Sequence, residues 1–372
     1  MPKITDVRNV PLRVLQEVGA LEPAWEPGAS MAFRRGGSAV LEIHTDDGRV
    51  GIGPGLKQRV LDVVRPVLLG QDAAQVEELF ERMRFAMRDR PGMAGADVAL
   101  WDLRARCAGV PLHRLWGSAR DRVPAYASLI RLSTPQERAE QAARLVQQGW
   151  RALKLRLHHE TMKRDIETVA AVRAVVGERM AILCDANQAQ SPGAWQPGVR
   201  WDFERALHTA RELQQLGCGW LEEPLPRYAF ADLRRLSDKV DLPIAAGENL
   251  RLPDFEALCS QQVVDVVQPD AMVLDGLTAL LQVGALTQQH GLSLAPHHGG
   301  RGLGTIAHLH AVAALPHARF VEVLHDPPIG DCAHGFSILR QAPQLDGDGN
   351  LVLPSGPGLG VDVDPGLIDR GA

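Results

Sequence analysis

From Val123 onward the chain alternates between two hydrophobic patterns. Short apolar runs lie at Val123–Ile130, Ala152–Leu157, Met180–Ala186, Trp220–Glu223, Pro243–Glu248, Val263–Ala271, Leu292–His297 and Arg319–Leu324. Amphipathic stretches fill the gaps, among them Pro135–Gln148, Asp165–Val176, Phe203–Leu216, Ala231–Val240 and Leu277–His290. The runs have strand length and the stretches have helix length, so the order reads as parallel β/α units. Eight such runs favour a closed barrel over an open doubly wound sheet. The first stretch of chain is different. Ile4–Leu15 and Ala39–His44 read as strands, with a turn at Asp46-Asp47-Gly48, and Val60–Cys107 takes a helical period. Gln16–Gly37 mixes Pro, Gly and charge without periodicity and is expected to be a mobile loop. Residues 1 to about 120 thus form a small α+β unit ahead of the α/β part. Past Gly347 the chain is rich in Gly and Pro, with Leu351-Val352-Leu353 as a possible last strand.

Composition narrows the partners. The 372 residues are 45% apolar and 23% charged, enough for a sizeable core. Forty basic against forty-five acidic residues give −5, with no basic stripe, so no nucleic-acid partner is expected. No apolar run approaches membrane-spanning length, and Met1-Pro2-Lys3-Ile4-Thr5-Asp6 lacks a leader's apolar stretch, so no membrane partner is expected. The five cysteines, Cys107, Cys184, Cys218, Cys259 and Cys332, are scattered, without CxxC spacing, which suits a reducing cytoplasm.

The chemistry lies where the apolar runs end. In order they close on Lys154-Leu155-Arg156, Asp185-Ala186-Asn187, Glu222-Glu223-Pro224, Gly247-Glu248-Asn249, Pro269-Asp270-Ala271 and Pro296-His297-His298, and the eighth carries Glu322. In a barrel these ends converge on one face, where active sites sit. Any single one reads equally well as a helix cap, but caps favour Ser, Thr, Asp and Asn, and this set holds Glu, Lys and His. Asp185, Glu222 and Glu248 end three successive strands about 4.8 Å apart. Carboxylates that close repel unless a cation sits among them, and an all-oxygen set suits Mg²⁺; a network with Lys154 and Arg156 is the alternative. Asp270 and His297 end adjacent strands, so the carboxylate would orient the imidazole as a base near neutral pH. His298, its neighbour, is the weaker candidate. Lys154 and Arg156 can neutralise a carboxylate or an oxyanion, and of the two only Lys154 is a plausible base.

Two further motifs point elsewhere. Gly299-Gly300-Arg301-Gly302-Leu303-Gly304 has the wrong spacing and place for a dinucleotide fingerprint; its glycines suit backbone N–H groups facing an anion at a helix start. His308 and His310, two apart on a helix, point apart and do not make a metal pair.

Taken with Ala96-Asp97-Val98-Ala99-Leu100-Trp101-Asp102, Gly109-Val110-Pro111, Leu115, Gly117 and Gly356-Pro357-Gly358-Leu359-Gly360, these motifs resemble the enolase superfamily nearly end to end. The resemblance is to the mandelate racemase/muconate lactonizing enzyme family, in its mandelate racemase-like branch of acid-sugar dehydratase type. It implies a modified TIM barrel, (β/α)₇β, over residues 121–344, under an α+β capping domain built from 1–120 and completed by 345–372. It implies Asp185, Glu222 and Glu248 as Mg²⁺ ligands and Asp270–His297 as one acid/base dyad. Glu322 would be a proton donor to the substrate carboxylate or a structural polar group. Lys154 and Arg156 would stabilise an enediolate. Asn187, His298 and, from the lid, Arg34 are expected at the substrate. The partner is a small-molecule carboxylate, and a homo-oligomer is expected. Arg156 stands where much of the branch carries a lysine base, and the loop after Gly53 is short. The expected reaction removes a proton α to a carboxylate, foremost in dehydrating an aldonate or aldarate to a 2-keto-3-deoxy acid with His297 as base. A racemase or epimerase, and a non-catalytic relative that binds metal and acid, are the alternatives.

Overall fold

The computed structural model describes residues 2–192 and 195–369. An antiparallel sheet comes first, with β1 (Ile4–Pro11), β4 (Ala39–Thr45) and β5 (Val50–Pro54) in the order β1-β4-β5. A separate hairpin of β2 (Val14–Leu21) and β3 (Met31–Gly36) stands between β1 and β4. Helices α1 (Gln58–Leu68), α2 (Val76–Met87), α3 (Ala94–Ala108) and α4 (Leu112–Leu115) follow. Nearly all of α3 is buried, and it lies on β5 where glycines allow the backbones to touch. A Cβ on Gly53 would stand 2.1 Å from the Gly95 carbonyl oxygen, so a larger residue there would drive the layers apart.

The second unit holds eight parallel strands: β6 (Arg122–Ser128), β7 (Ala152–Arg156), β8 (Ala181–Asp185), β9 (Leu221–Glu222), β10 (Ile244–Ala246), β11 (Val266–Val267), β12 (Ser293–Leu294) and β13 (Val321–Leu324). Seven helices alternate with them: α5 (Pro135–Gln147), α6 (Met162–Val176), α7 (Phe203–Gln215), α8 (Phe230–Ser237), α9 (Leu252–Ser260), α10 (Leu277–Gln289) and α11 (Leu303–Ala314). Local signals set several helix starts; α5 opens with a Thr134–Glu137 capping box and Pro135 in its first turn. The strands run β12-β11-β10-β9-β8-β7-β6-β13, and a parallel bridge from Leu294 to Ala318 links β12 to the run-up of β13, closing the ring. This is the closed barrel expected from the alternation, in the (β/α)₇β form that the resemblance implied. A short α12 (Cys332–Phe336) follows, and β14 (Asn350–Val352) lies antiparallel to the start of β6. Farther along, Gly358 and Ile368 bridge to Pro111 and Leu12 in the first unit.

The stretch 16–37 is not the unstructured loop that its missing periodicity suggested. It is the β2–β3 hairpin, with register shifts at Val14/Gln16 and Glu17/Gly19. Those bulges break the alternation that marks a strand. Phe33, Val18, Leu21, Trp25 and Met31 tie the hairpin to Ile130 and Leu324 at the ends of β6 and β13, so it covers the barrel mouth there.

Candidate active site

The barrel interior has an apolar floor made of Tyr126, Ala152, Leu183, Trp220, Ala245, Val266 and Ala295, with Phe320 packed against it. Each strand, or the residue next to it, contributes one. Side chains two residues apart share a strand face, so the next inward positions are Ser128, Lys154, Asp185, Glu222, Gly247, Gln268, His297 and Glu322. Seven of these eight positions are polar, which makes one layer of chemistry directly above one layer of packing. The eighth, Gly247, has φ +132 and passes the role to Glu248. One further step up stand Arg156, Asn187 and Asp270.

Lys154 is fully buried. Its Nζ lies 2.7 Å from Glu222, 2.9 Å from Glu322 and 3.3 Å from Asp185. Burial works against its charge, but Glu222, Glu322 and Asp185 outweigh that and raise its pKa above the ordinary value. One ammonium shared three ways does not satisfy the carboxylates. Burial, with Asp185 close by, pushes Glu222 up to about 8. Arg156 pairs with Asp185 and donates to Leu129 O at 2.8 Å, Ser128 Oγ at 2.9 Å and Asn187 Oδ1 at 3.1 Å. Its guanidinium stacks on Trp25 of the hairpin, 4.6 Å from the ring centre.

His297 Nδ1 lies 2.7 Å from Asp270 Oδ2, and its Nε2 lies 3.0 Å from Glu248 Oε2. Asp270 also accepts the Met272 and Gly299 amides at 2.7 and 3.2 Å, which fix its plane. Burial disfavours the imidazolium, but Glu248, Glu322 and the Asp270 hydrogen bond prevail and hold the His297 pKa well above 6.5. Burial raises Glu248, but facing His297 brings it down to about 2. Beside His297, His298 is pushed down to about 3 by burial and by the charge on its neighbour.

Asp185, Glu222, Glu223, Glu248, Asp270 and Glu322 are six buried carboxylates, and Lys154 and Arg156 are the two permanent cations among them. Glu223 Oε2 and Gln268 Oε1 have no hydrogen-bond partner. Glu248 Oε2 and Glu322 Oε1 meet His297 and Lys154 only as ion pairs, off the hydrogen-bond directions. A buried excess of anionic oxygen with orphaned acceptors fits a divalent oxygen-loving cation.

Asn187 has φ +43 and bonds Asp185, Arg156 and His158, so it sits against the carboxylate layer. Arg34 does not join the cluster. It is on the hairpin, paired with Glu17 at 2.9 Å and half exposed. Several residues were missed at the sequence level. Ser128 and Gln268 obey the same two-residue step as the acids, and Gln268 donates to Glu222 at 2.8 Å, so their signal was present. His308 lies beneath the dyad, accepting the Ala271 amide at Nε2 and meeting Gly304 O through Nδ1, whereas His310 turns to His113. Trp25 had no signal, because it arrives from the hairpin.

Comparison with known proteins agrees with this fold. A model of the enolase C-terminal domain-like family matches residues 137–367, and that of the mandelate racemase / muconate lactonizing enzyme N-terminal domain matches 17–117. The chain belongs to this enolase-superfamily family. Arabinonate dehydratase of Saccharolobus solfataricus is 31% identical over 350 residues, 88% of this chain and 89% of that one. A 3,6-anhydro-alpha-L-galactonate cycloisomerase of Streptomyces coelicolor is 29% identical over 91% of each chain. D-glucarate dehydratase of Agrobacterium tumefaciens, solved with magnesium, superposes with a TM-score of 0.84 at 26% identity, over 99% of this chain and 98% of that one. These three relatives are two dehydratases and a cycloisomerase. Among the described residues no helix is long and apolar enough to cross a membrane.

Proposed function

We propose that the protein is an acid-sugar dehydratase that removes the proton α to the carboxylate of an aldonate or aldarate and yields a 2-keto-3-deoxy acid. Asp185, Glu222 and Glu248 would hold Mg²⁺, which supplies Lewis-acid counter-charge to the enediolate. Asp270 accepts from His297 Nδ1, so Nε2 is the atom that takes the α-proton. The C–H electron pair moves into the enediolate, where Lys154 offsets charge. The β-hydroxyl then leaves as water with the proton that His297 Nε2 took up, and the enol tautomerises to the keto acid. Asn187 and His298 would contact the substrate, whereas Arg34, paired with Glu17 on the hairpin, is not assigned to it.

The observation that carries this reading is the state of Lys154. A racemase or epimerase needs a base on each face of the α-carbon. The Lys154 ammonium is engaged by three buried carboxylates at 2.7, 2.9 and 3.3 Å, and Arg156 does not lose its proton, so neither is assigned as a base. His297 is left as the single base: Glu248, which pairs with its Nε2, would turn to Mg²⁺ and release that nitrogen, and one base suffices for elimination. Arabinonate and D-glucarate dehydratase among the relatives support the same class. Incubation with Mg²⁺ and a panel of aldonates and aldarates tests it. Keto acid should form, and His297→Asn should lower kcat by about 10²–10⁴-fold with Mg²⁺ binding intact. Solvent deuterium entering the α-position with inversion and without loss of water would refute dehydration.

A further inference from the structure

A cavity of about 770 Å³ lies apart from the barrel mouth. None of the proton-transfer or carboxylate residues lines it. Strand alternation gives its side: Phe33 faces the mouth, packed with Ile130 and Leu324, so Ala32 and Arg34 face the other way, into the cavity. The remaining walls come from the β5–α1 turn with Lys57, from Arg301 and Leu303 at the start of α11, and from His334 of α12.

The charge of this wall is one-sided. Arg34, Lys57 and Arg301 line it, and its lining contains no Asp or Glu, in a chain where acids outnumber bases by 45 to 40. Arg34 is partly offset by Glu17 outside the cavity. Lys57 has no ion pair among the described residues. Arg301 uses one guanidinium nitrogen on Ala32 O, at 3.1 Å, and lays its plane on Phe33, 4.0 Å from the ring centre. That leaves N–H groups of a rigidly placed fork unspent. The helix ends add to the same field. Lys57 and Gly302 are the N-caps of α1 and α11; neither helix has a side-chain cap, and neither has an acidic residue in its first turn. Neither helix therefore offsets its positive end with a carboxylate of its own first turn.

We infer that this cavity is a second binding site, for a small multiply charged oxyanion: an organic dicarboxylate or a phosphate monoester. Its volume takes a molecule of that size. Arg34 belongs to the hairpin, Lys57 to the antiparallel unit, and Arg301 to the loop three residues past His298. An anion held by all three would pin the hairpin over the mouth, tying occupancy of this site to closure of the other. The inference stands independently of the dehydratase reading, because it needs neither the metal nor the base.

Calorimetric titration of the whole protein with sodium malonate, sodium succinate and glycerol phosphate, at matched ionic strength in chloride, tests it. Saturable one-site binding by the carboxylates assigns a dicarboxylate, and by glycerol phosphate a phosphate monoester; either supports the site. Lys57→Glu should weaken binding about tenfold or more while the fold holds, since Glu at a helix start is favoured. Arg301→Gln should act likewise. Arg35→Glu carries the same charge change on the same hairpin but outside the cavity, and should leave the affinity within about twofold. Absence of saturable binding up to about 10 mM ligand, or equal losses in Lys57→Glu and Arg35→Glu, would overturn the inference.

Discussion

Replacing Lys154 by Met tests how the carboxylate layer is held. Met keeps a long unbranched side chain and removes the ammonium with its charge and its donors. In the wild-type protein Nζ lies within 3.3 Å of Glu222, Glu322 and Asp185, and none of the four side chains reaches solvent. Taking one partner from a buried ion pair costs about 3–5 kcal/mol, because the other charge is left uncompensated. Arg156 still faces Asp185, so the loss falls on Glu222 and Glu322. At an m-value of about 3 kcal/mol/M, the urea midpoint in EDTA should fall by about 1–1.7 M, read by tryptophan fluorescence. Mg²⁺ supplies the missing positive charge, so it should raise the midpoint further in Lys154→Met than in wild type. A shift worth less than about 1 kcal/mol, or an equal response to Mg²⁺, would show that the ammonium does not hold the layer together.

Other outcomes follow from the same contacts. Trp25→Ala removes the ring over Arg156 and should cost about 0.5–2 kcal/mol, with a rise in KM larger than the fall in kcat; an unchanged KM would remove the hairpin from the site. In Gly299→Ala the new Cβ would meet His308 Nδ1 at 2.0 Å with φ at +68. The strain, about 2–4 kcal/mol, should displace the loop that donates to Asp270 and lower kcat, and full activity with native stability would contradict this. His113 and His310 are held neutral by burial, down to about 4 and about 3 against an ordinary 6.5. The unfolded chain takes up protons first, so their contribution is present above pH 6.5 and is lost as pH falls toward 4. His310→Gln should therefore narrow the gap in melting temperature between pH 7 and pH 5, and an unaltered gap would disprove the assignment.

Much of the site could be read from a strand period of two. Lys154, Asp185, Glu222, His297 and Glu322 follow the floor residues Ala152, Leu183, Trp220, Ala295 and Phe320 by two positions. That spacing is local, and in a parallel barrel it repeats on every strand, so the ends of the apolar runs disclosed the layer without any long-range information. Ser128 and Gln268 obeyed it too but passed unnoticed, since neutral polar side chains look like ordinary loop chemistry. The hairpin was illegible because its bulges shift the alternation, and because β2 is exposed along most of its length. His308 and His310 looked alike on their helix, yet one supports Asp270 and the other packs on His113.

The sequence by itself determined the barrel, its polar layer and the chemistry of that layer, because helix and strand periods and residue types are properties of short segments. Only the tertiary structure decided which cations meet which acids: that Lys154 is spent on three carboxylates, that Trp25 closes over Arg156, and that Arg34, Lys57 and Arg301 enclose a cavity of their own. These depend on register, bulges and the crossing of segments hundreds of residues apart. Burial and neighbours then set the strength of each charge, and no local pattern encodes which charges meet.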